Sequence, residues 1–219
     1  FSYNFLNTPK PFEPFKSIKN NNLALVRDLN IYAAPTQVSY RWEVMRGYRE
    51  EQLRNINNPN FKIPLNVNKD FYWNRYFDLT YNLTRSIKID FRTATNATID
   101  EPEGPVNKRL YREEYEIWKD SVMRNIMDFG RTTNYQHTIN ASYNLPINKV
   151  PYLEWVTASL NYGALFNWQR GPVTKDEFQW GNTIRNSNNI QANGQFNLVT
   201  LYNKSSYLKE LNRPSGQSR

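Results

Sequence analysis

The sequence predicts an all-β fold: about eight antiparallel strands in up-and-down order, forming a wall segment of a transmembrane β-barrel, with one helix in a long loop. Three observations predict it. The first is strict alternation of apolar and polar residues over stretches as long as Val156 to Trp168; a period of two gives a strand one apolar and one polar face. The second is charge. No Asp, Glu, Lys or Arg occurs from Thr132 through Asn148, from Val156 through Gln169, or from Asn186 through Asn203. Sheet faces in water usually carry charge, whereas a lipid-facing band about 25 Å tall carries it only at a cost. The third is rhythm: short turns alternate with long connections, as in barrels with tight turns at one rim and long loops at the other.

Taken in order, residues 1–21 read as a loop leading into the wall, and residues 22–204 as four hairpins. The first has arms Leu23 to Ala33 and Gln37 to Tyr48 around Ala34-Pro35-Thr36. In its second arm Val38, Tyr40, Trp42 and Val44 alternate with Ser39, Arg41, Glu43 and Met45. The second joins Phe71 to Leu83 with Ile87 to Ala97 through Thr84-Arg85-Ser86. The third joins Thr132 to Leu145 with Val156 to Trp168 through a turn bracketed by Pro146 and Pro151. The fourth pairs Phe178 to Arg185 with Ile190 to Tyr202 across Asn186-Ser187-Asn188-Asn189. Asn and Ser tolerate turn conformations and Pro ends strand pairing, so these breaks have a mechanism. Residues 205–219 read as a further loop segment. The connections 49–70, 98–131 and 169–177 are longer and more polar, and one holds a helix over 111–129. Its stripe is Tyr115, Trp118, Val122, Ile126 and Phe129, with Glu113 and Glu114 in the first turn and Gly130 at the end.

Composition narrows the classes. The chain has 219 residues, no cysteine and 39% hydrophobic residues, with a mean hydropathy of −0.80. Without cysteine, disulfides and thiolate metal sites are excluded. No apolar run approaches the roughly 18 residues of a membrane helix. A barrel remains open, because only every second strand residue must face lipid. Aromatics reach 15%, as suits strands and membrane interfaces. The net charge is +8, but Lys and Arg are scattered and form no footprint for nucleic acid. The chain begins at Phe1 without a signal peptide, which reads as a mature product or an internal fragment.

Chemistry-bearing motifs are few. The single histidine, His137, shares a strand face with Tyr135, Ile139 and Tyr143; catalysis or metal binding needs partners that it lacks in sequence. No HExxH, Walker, GxGxxG or GxSxG pattern occurs. Asp100-Glu101-Pro102-Glu103 could hold a cation but lacks EF-hand spacing. Sequons at Asn82, Asn96, Asn140 and Asn203 are what an Asn-rich chain produces by chance. No catalytic, cofactor-binding or metal-binding residue is expected, and the chain does not read as an enzyme.

The alternation instead assigns faces. Val156, Ala158, Leu160, Tyr162, Ala164, Phe166 and Trp168 are expected to face lipid, and Thr157, Ser159, Asn161 and Asn167 a hydrated lumen. Two arginines break the apolar pattern: Arg27 among Leu23, Leu25, Leu29 and Ile31, and Arg75 among Trp73, Phe77 and Leu79. Each stands about 26 Å along its strand from a tight turn, from which it could snorkel to the far interface.

The blocks FYWNRYFDLTYNLTRSIKIDF, ATNATIDEPEG and YNLPINKVPYLEWVTASLNYGALFNW, with the earlier REEQLRNINNP, resemble the SprA/Sov family. These are giant outer-membrane translocons of type 9 secretion in Bacteroidota. The likeness spans roughly residues 22–204. It implies an internal fragment of a much larger single-chain barrel that exports folded proteins to the cell surface. It also implies as partners the rest of the same barrel, a PorV-like shuttle protein, a plug protein and secreted cargo. Eight strands closed on themselves would leave an interior filled by side chains, so the export reading requires more chain. Two rivals stay open: a small self-contained outer-membrane barrel acting as anchor or adhesin, and a secreted glycan-binding β-sandwich.

Overall fold

A computed structural model describes residues 1–20, 23–58, 61–172 and 181–211. One seven-stranded antiparallel sheet forms its centre, with spatial order equal to chain order. The strands are β1 (Ser2–Leu6), β2 (Gln37–Glu51), β3 (Asn66–Asn82), β4 (Ile87–Thr98), β5 (Arg131–Leu145), β6 (Val156–Gln169) and β7 (Thr183–Phe196). Four helices accompany them: α1 (Ala24–Arg27), α2 (Arg112–Met127), α3 (Leu198–Tyr202) and α4 (Ser206–Leu211). The sheet is open, with β1 and β7 as its edges.

Strands of 12 to 17 residues in β2 to β7 are two to three times the usual length. Their ends are displaced in one sense. Gln37, the first residue of β2, lies opposite Thr80, then Asp90, Asn140 and Gly163 on successive strands. Gly163 is seven residues inside β6, which starts at Val156. The other rim steps the same way: Thr98 ends β4 opposite Tyr72, and Gln169 ends β6 opposite Asn134. A seven-residue step is about 23 Å along the strands over about 19 Å of sheet width. If the rims lie level, the strands tilt by about 50°, near the 35–45° of closed barrels.

Several expectations are corrected. Leu23 to Ala33 is not a strand: it holds α1 and a single bridge, Ile31 to Phe12. Arg27 therefore lies in a helix, bound to Asp28 at 3.0 Å, and breaks no apolar face. Local hydrogen bonding by Asx side chains competes with strand pairing here. Asn30 Nδ2 donates to the Asp28 carbonyl, and its Oδ1 accepts from the Arg85 backbone N–H at 2.8 Å. The segment so folds beneath the β3–β4 turn, and the strand beside β2 is instead β1, from within the expected 1–21 loop. The tight turn at Ala34-Pro35-Thr36 is the end of a thirty-residue connection, Asn7 to Thr36, which interrupts the short-turn rim.

The fourth hairpin is likewise one strand. β7 runs through Asn186-Ser187-Asn188-Asn189 and pairs with β6 along its whole length. A turn there would strip Gly163 to Phe166 of their partners, and backbone groups withdrawn from water must be paired. The outer part of that expected arm, Phe178 to Trp180, lies outside the described residues. Its last residues form α3, capped by Asn197, whose side chain accepts from the Thr200 N–H. The expected loop 205–219 contains α4. The described wall therefore has seven strands rather than eight.

The sheet is a single layer. Among the described residues only Trp73, Ala97, Ile99 and Val122 are buried apolar side chains. The chain exposes 17315 Å², against about 10,600 Å² for a compact 26.1 kDa monomer. The one core is where α2 lies on β3: Trp118, Val122 and Ile126 pack with Phe71, Trp73 and Ile99. Trp118, Val122 and Ile126 are the middle of the expected stripe, whereas its last member, Phe129, lies past the end of α2 and is exposed. Gly130 closes this junction at φ 71°, and a Cβ there would stand 2.7 Å from Ile99 Cδ1 and 3.0 Å from the Thr98 carbonyl oxygen. Gly130→Ala is expected to lower stability by about 1–3 kcal/mol, read as an earlier unfolding midpoint with faster amide exchange in α2.

Candidate functional site

The functional feature is the sheet's two-sidedness, and it extends far beyond β6. Residues directly opposite on neighbouring strands share a face. The β6 set Ala158, Leu160, Tyr162, Ala164, Phe166 and Trp168 meets Leu145, Tyr143, Ala141, Ile139, His137 and Tyr135 on β5. The same face continues through Ile87, Ile89, Phe91 and Thr93 on β4 and Tyr81, Leu79 and Phe77 on β3. It ends at Val38, Tyr40 and Trp42 on β2 with Phe5 and Tyr3 on β1. Val156, opposite Phe196, belongs to it too. The structure thus brings all seven residues expected to face lipid onto one continuous apolar surface. At about 34 Å by 30 Å it covers on the order of 1,000 Å², where monomers rarely expose more than a few hundred.

Thr157, Ser159, Asn161 and Asn167 lie on the opposite face, the last three across from Asn144, Ser142 and Gln136 on β5 and Thr157 across from Gln195 on β7. Asparagines bond across strands there, Asn96 Nδ2 to Asn74 Oδ1 at 2.8 Å and Asn167 Nδ2 to Asn134 Oδ1 at 3.5 Å. On β2 to β4 the polar face carries both signs, paired as Arg41–Glu43, Lys88–Asp90 and Arg92–Asp78 at 3.1 to 3.8 Å. The face is therefore hydrophilic, with most of its charges on β2 to β4 paired across or along the strands. Leu165 is its apolar exception on β6.

The apolar face has its own exceptions. Asn186 and Asn188 stand opposite Phe166 and Ala164 on β7. His137 stacks on Phe166 at 4.9 Å, and its Nδ1 has no hydrogen-bond partner. Arg75 keeps the place the alternation gave it, opposite Trp42 and Thr95. Around it runs an aromatic chain that the sequence reading missed: Phe1, Trp42, Trp73 and Phe129 follow one another at 5.7 to 5.8 Å between ring centres.

Above this chain an ionic node ties the long loop to the sheet. Arg46, on the apolar side of β2, donates to both Glu101 oxygens at 2.8 and 2.9 Å and lies 4.9 Å over the Trp118 ring. Trp118 Nε1 donates to Glu101 as well. Arg131 forks onto Asp100 at 2.6 and 2.7 Å, and Lys69 donates to the Pro102 carbonyl. Asp100 and Glu101, two of the three acids in the run that could have held a cation, are thus spent on the chain's own cations. Among the described residues no group of three or more His, Cys, Asp or Glu is placed to hold a metal ion. The signal for the node was Arg46 itself, a charge continuing the apolar series Val38 to Val44.

No protein-family model matches the chain, and no curated protein matches it.

Burial pushes the Glu101 carboxyl up, but the hydrogen bonds from Arg46 and Trp118 and the charges of Arg46 and Lys69 outweigh it, leaving it below its ordinary 4.5. The Arg131 fork holds Asp100 below 3.8 against the opposing effect of burial. Depressed carboxylates stabilise the fold above their ordinary values and lose that contribution as pH falls through the lowered ones. The α2 junction is therefore expected to loosen below about pH 4, seen as rising amide exchange in α2 while β5 and β6 stay protected. Glu101→Gln at neutral pH is expected to weaken the same junction by about 1.5–3 kcal/mol.

Proposed function

We propose that this chain is a wall segment of a much larger outer-membrane β-barrel, with its apolar face against lipid and its polar face lining a hydrated conduit. The observation that carries the reading is the continuous apolar surface on a single-layer sheet with two open edges. β7 presents a 14-residue edge with Arg185 as its one charge, whereas soluble proteins blunt such edges with charge, proline or bulges. A wall that continues on both sides needs no such protection. The stagger of the strands supports the same geometry. A sandwich would need a second sheet against the apolar face, and a small closed barrel would need β1 to meet β7.

Within that reading, the resemblance of residues 22–204 to the SprA/Sov family supports a specific conduit, the translocon that exports folded proteins in type 9 secretion. The chain's part is then structural rather than catalytic. The rest of the barrel pairs with its edges, lipid bathes the outer face, and cargo passes the asparagine- and serine-rich lining. A PorV-like shuttle and a plug protein are the partners this reading brings. Because long loops lie outside in such barrels, α2 sits at the outer rim on the lipid side of the wall.

Two experiments test the reading at separate levels. These 219 residues hold no cysteine, so a single cysteine placed among them is read against the otherwise unchanged protein. Cysteine at Asn161 is expected to react with a water-soluble maleimide in the intact membrane, and cysteine at Leu160 or Ala164 to be protected; equal reactivity overturns the face assignment. Leu160 stands about 4 Å from the middle of the band, so Leu160→Arg is expected to cost about 2–4 kcal/mol, measured by unfolding from lipid. Deleting the gene in its own host is expected to leave folded cargo in the periplasm. Normal surface delivery would end the export reading while leaving the wall geometry intact.

A further inference from the structure

Arg75 stands on the apolar face seven residues from the Asn82 end of β3. Thr95 and His137 stand eight from the corresponding ends of β4 and β5, Ile87 and Leu145, and Asn188 stands eight from Phe196 on β7. These ends form the rim of the short turns. With that rim level and the strands tilted by about 50°, the four residues make a row across the sheet within about 4 Å of the middle of the band. Between the row and the rim, no polar side chain other than tyrosine and Thr93 stands on the apolar face of β3 to β7.

The row is short of acceptors. Arg75 takes part in no ion pair among the described residues. Its Nε has no hydrogen-bond partner, and neither have Trp73 Nε1, two residues along the same face, and His137 Nδ1. The guanidinium lies 5.3 Å from the centres of both the Trp73 and Phe129 rings, and a ring face holds a cation without accepting a hydrogen bond. Arg75 is half-buried, so part of it stays within reach of a neighbour. At this depth acyl chains offer no acceptor and water is absent. An ionisable side chain there is costly and almost always pairs with another protein group.

We propose that this row is a docking surface for the membrane-spanning part of a second protein, which sets a carboxylate against Arg75. Charge complementarity names the group, because a carboxylate accepts two parallel bonds from a guanidinium. A second copy presenting the same face cannot supply it, since no Asp or Glu occurs on that face of β3 to β7. A lipid-exposed loop does not suit either, as its own backbone groups would stay unpaired, whereas a helix or barrel wall keeps them paired. Beside the row, small Ala164 leaves a depression of about 440 Å³ bordered by His137, Tyr162, Phe166, Asn186 and Asn188. It has room for a side chain of the partner, with two carboxamides to bond it. The proposal rests on the membrane-wall reading and narrows it: lipid covers the face near the short turns, and protein covers the row.

The test uses the full-length protein in the membranes of its own host, with a benzophenone photo-crosslinking residue in place of Phe77, next to Arg75 on the same face. The expected result is a crosslink to one membrane-spanning protein, mapped by mass spectrometry to a segment bearing Asp or Glu. Arg75→Glu is expected to reduce that crosslink about tenfold or more, and replacing the partner's carboxylate by Lys to restore it. A partner held equally by Arg75→Glu overturns the proposal, as does one that the charge exchange fails to restore. Should Arg75→Glu fail to fold, crosslinks from Phe77 to lipid alone, or only to this chain itself, overturn it equally. Protected cysteines at Leu160 and Ala164 together with lipid-only crosslinks sink this docking surface alone; water-reactive cysteines there remove both readings.

Discussion

The structure depends on one constraint: apart from a single shift at Asn96/Ala97 near the end of β4, seven strands keep a common register, so that every second residue reaches the same side. A slip of one residue on any strand would turn its whole apolar set to the polar side. The apolar surface is therefore a property of the pairing as a whole. Its stabilisation cannot come from a protein core, because a single layer has none beyond the small cluster under α2. What holds the sheet is its ladder of backbone bonds and whatever covers the apolar side. In a bilayer both act together, since unpaired backbone groups are costly in lipid and a continuous sheet leaves none except at its edges.

Among the described residues, α2 is where protein packs on that side. Its dock combines apolar packing by Trp118, Val122 and Ile126 with the fork of Arg46 on Glu101. The two depend on each other. Arg46 emerges from the apolar side of the sheet, and the Glu101 side chain is 2% exposed, so either charge left alone would be expensive. The junction marks where the apolar band gives way to a polar rim, and the Phe1–Trp42–Trp73–Phe129 chain lies along that boundary.

Much of this was legible in the sequence because strands β2 to β6 write their faces in period two. Their limits in the structure, such as Val156–Gln169 for the expected Val156 to Trp168, differ by few residues. α2 was legible from its stripe. Leu23 to Ile31 misled because alternate leucines imitate a strand while Asp28 and Asn30 turn the backbone locally. Asn186 to Asn189 misled for the opposite reason: turn chemistry was present, but continuous pairing with β6 overrode it. β1 spans only five residues, too few for alternation to stand out. The link from Arg46 to Glu101 crosses 55 positions and leaves no local trace beyond a charge on the wrong face.

The uncovered side of β7 also bears on how such a wall is built. Fourteen residues in extended pairing geometry offer about seven outward donors and seven outward acceptors. That is a template, and it accepts any chain able to lie beside it. In a sheet whose spatial order equals its chain order, the last strand in place stays in this condition until the next one pairs with it. A growing wall of this kind is self-propagating and, at every stage short of completion, adhesive. Its order of assembly then has to be governed by when each segment is released to the membrane, and by what shields the open side while it waits.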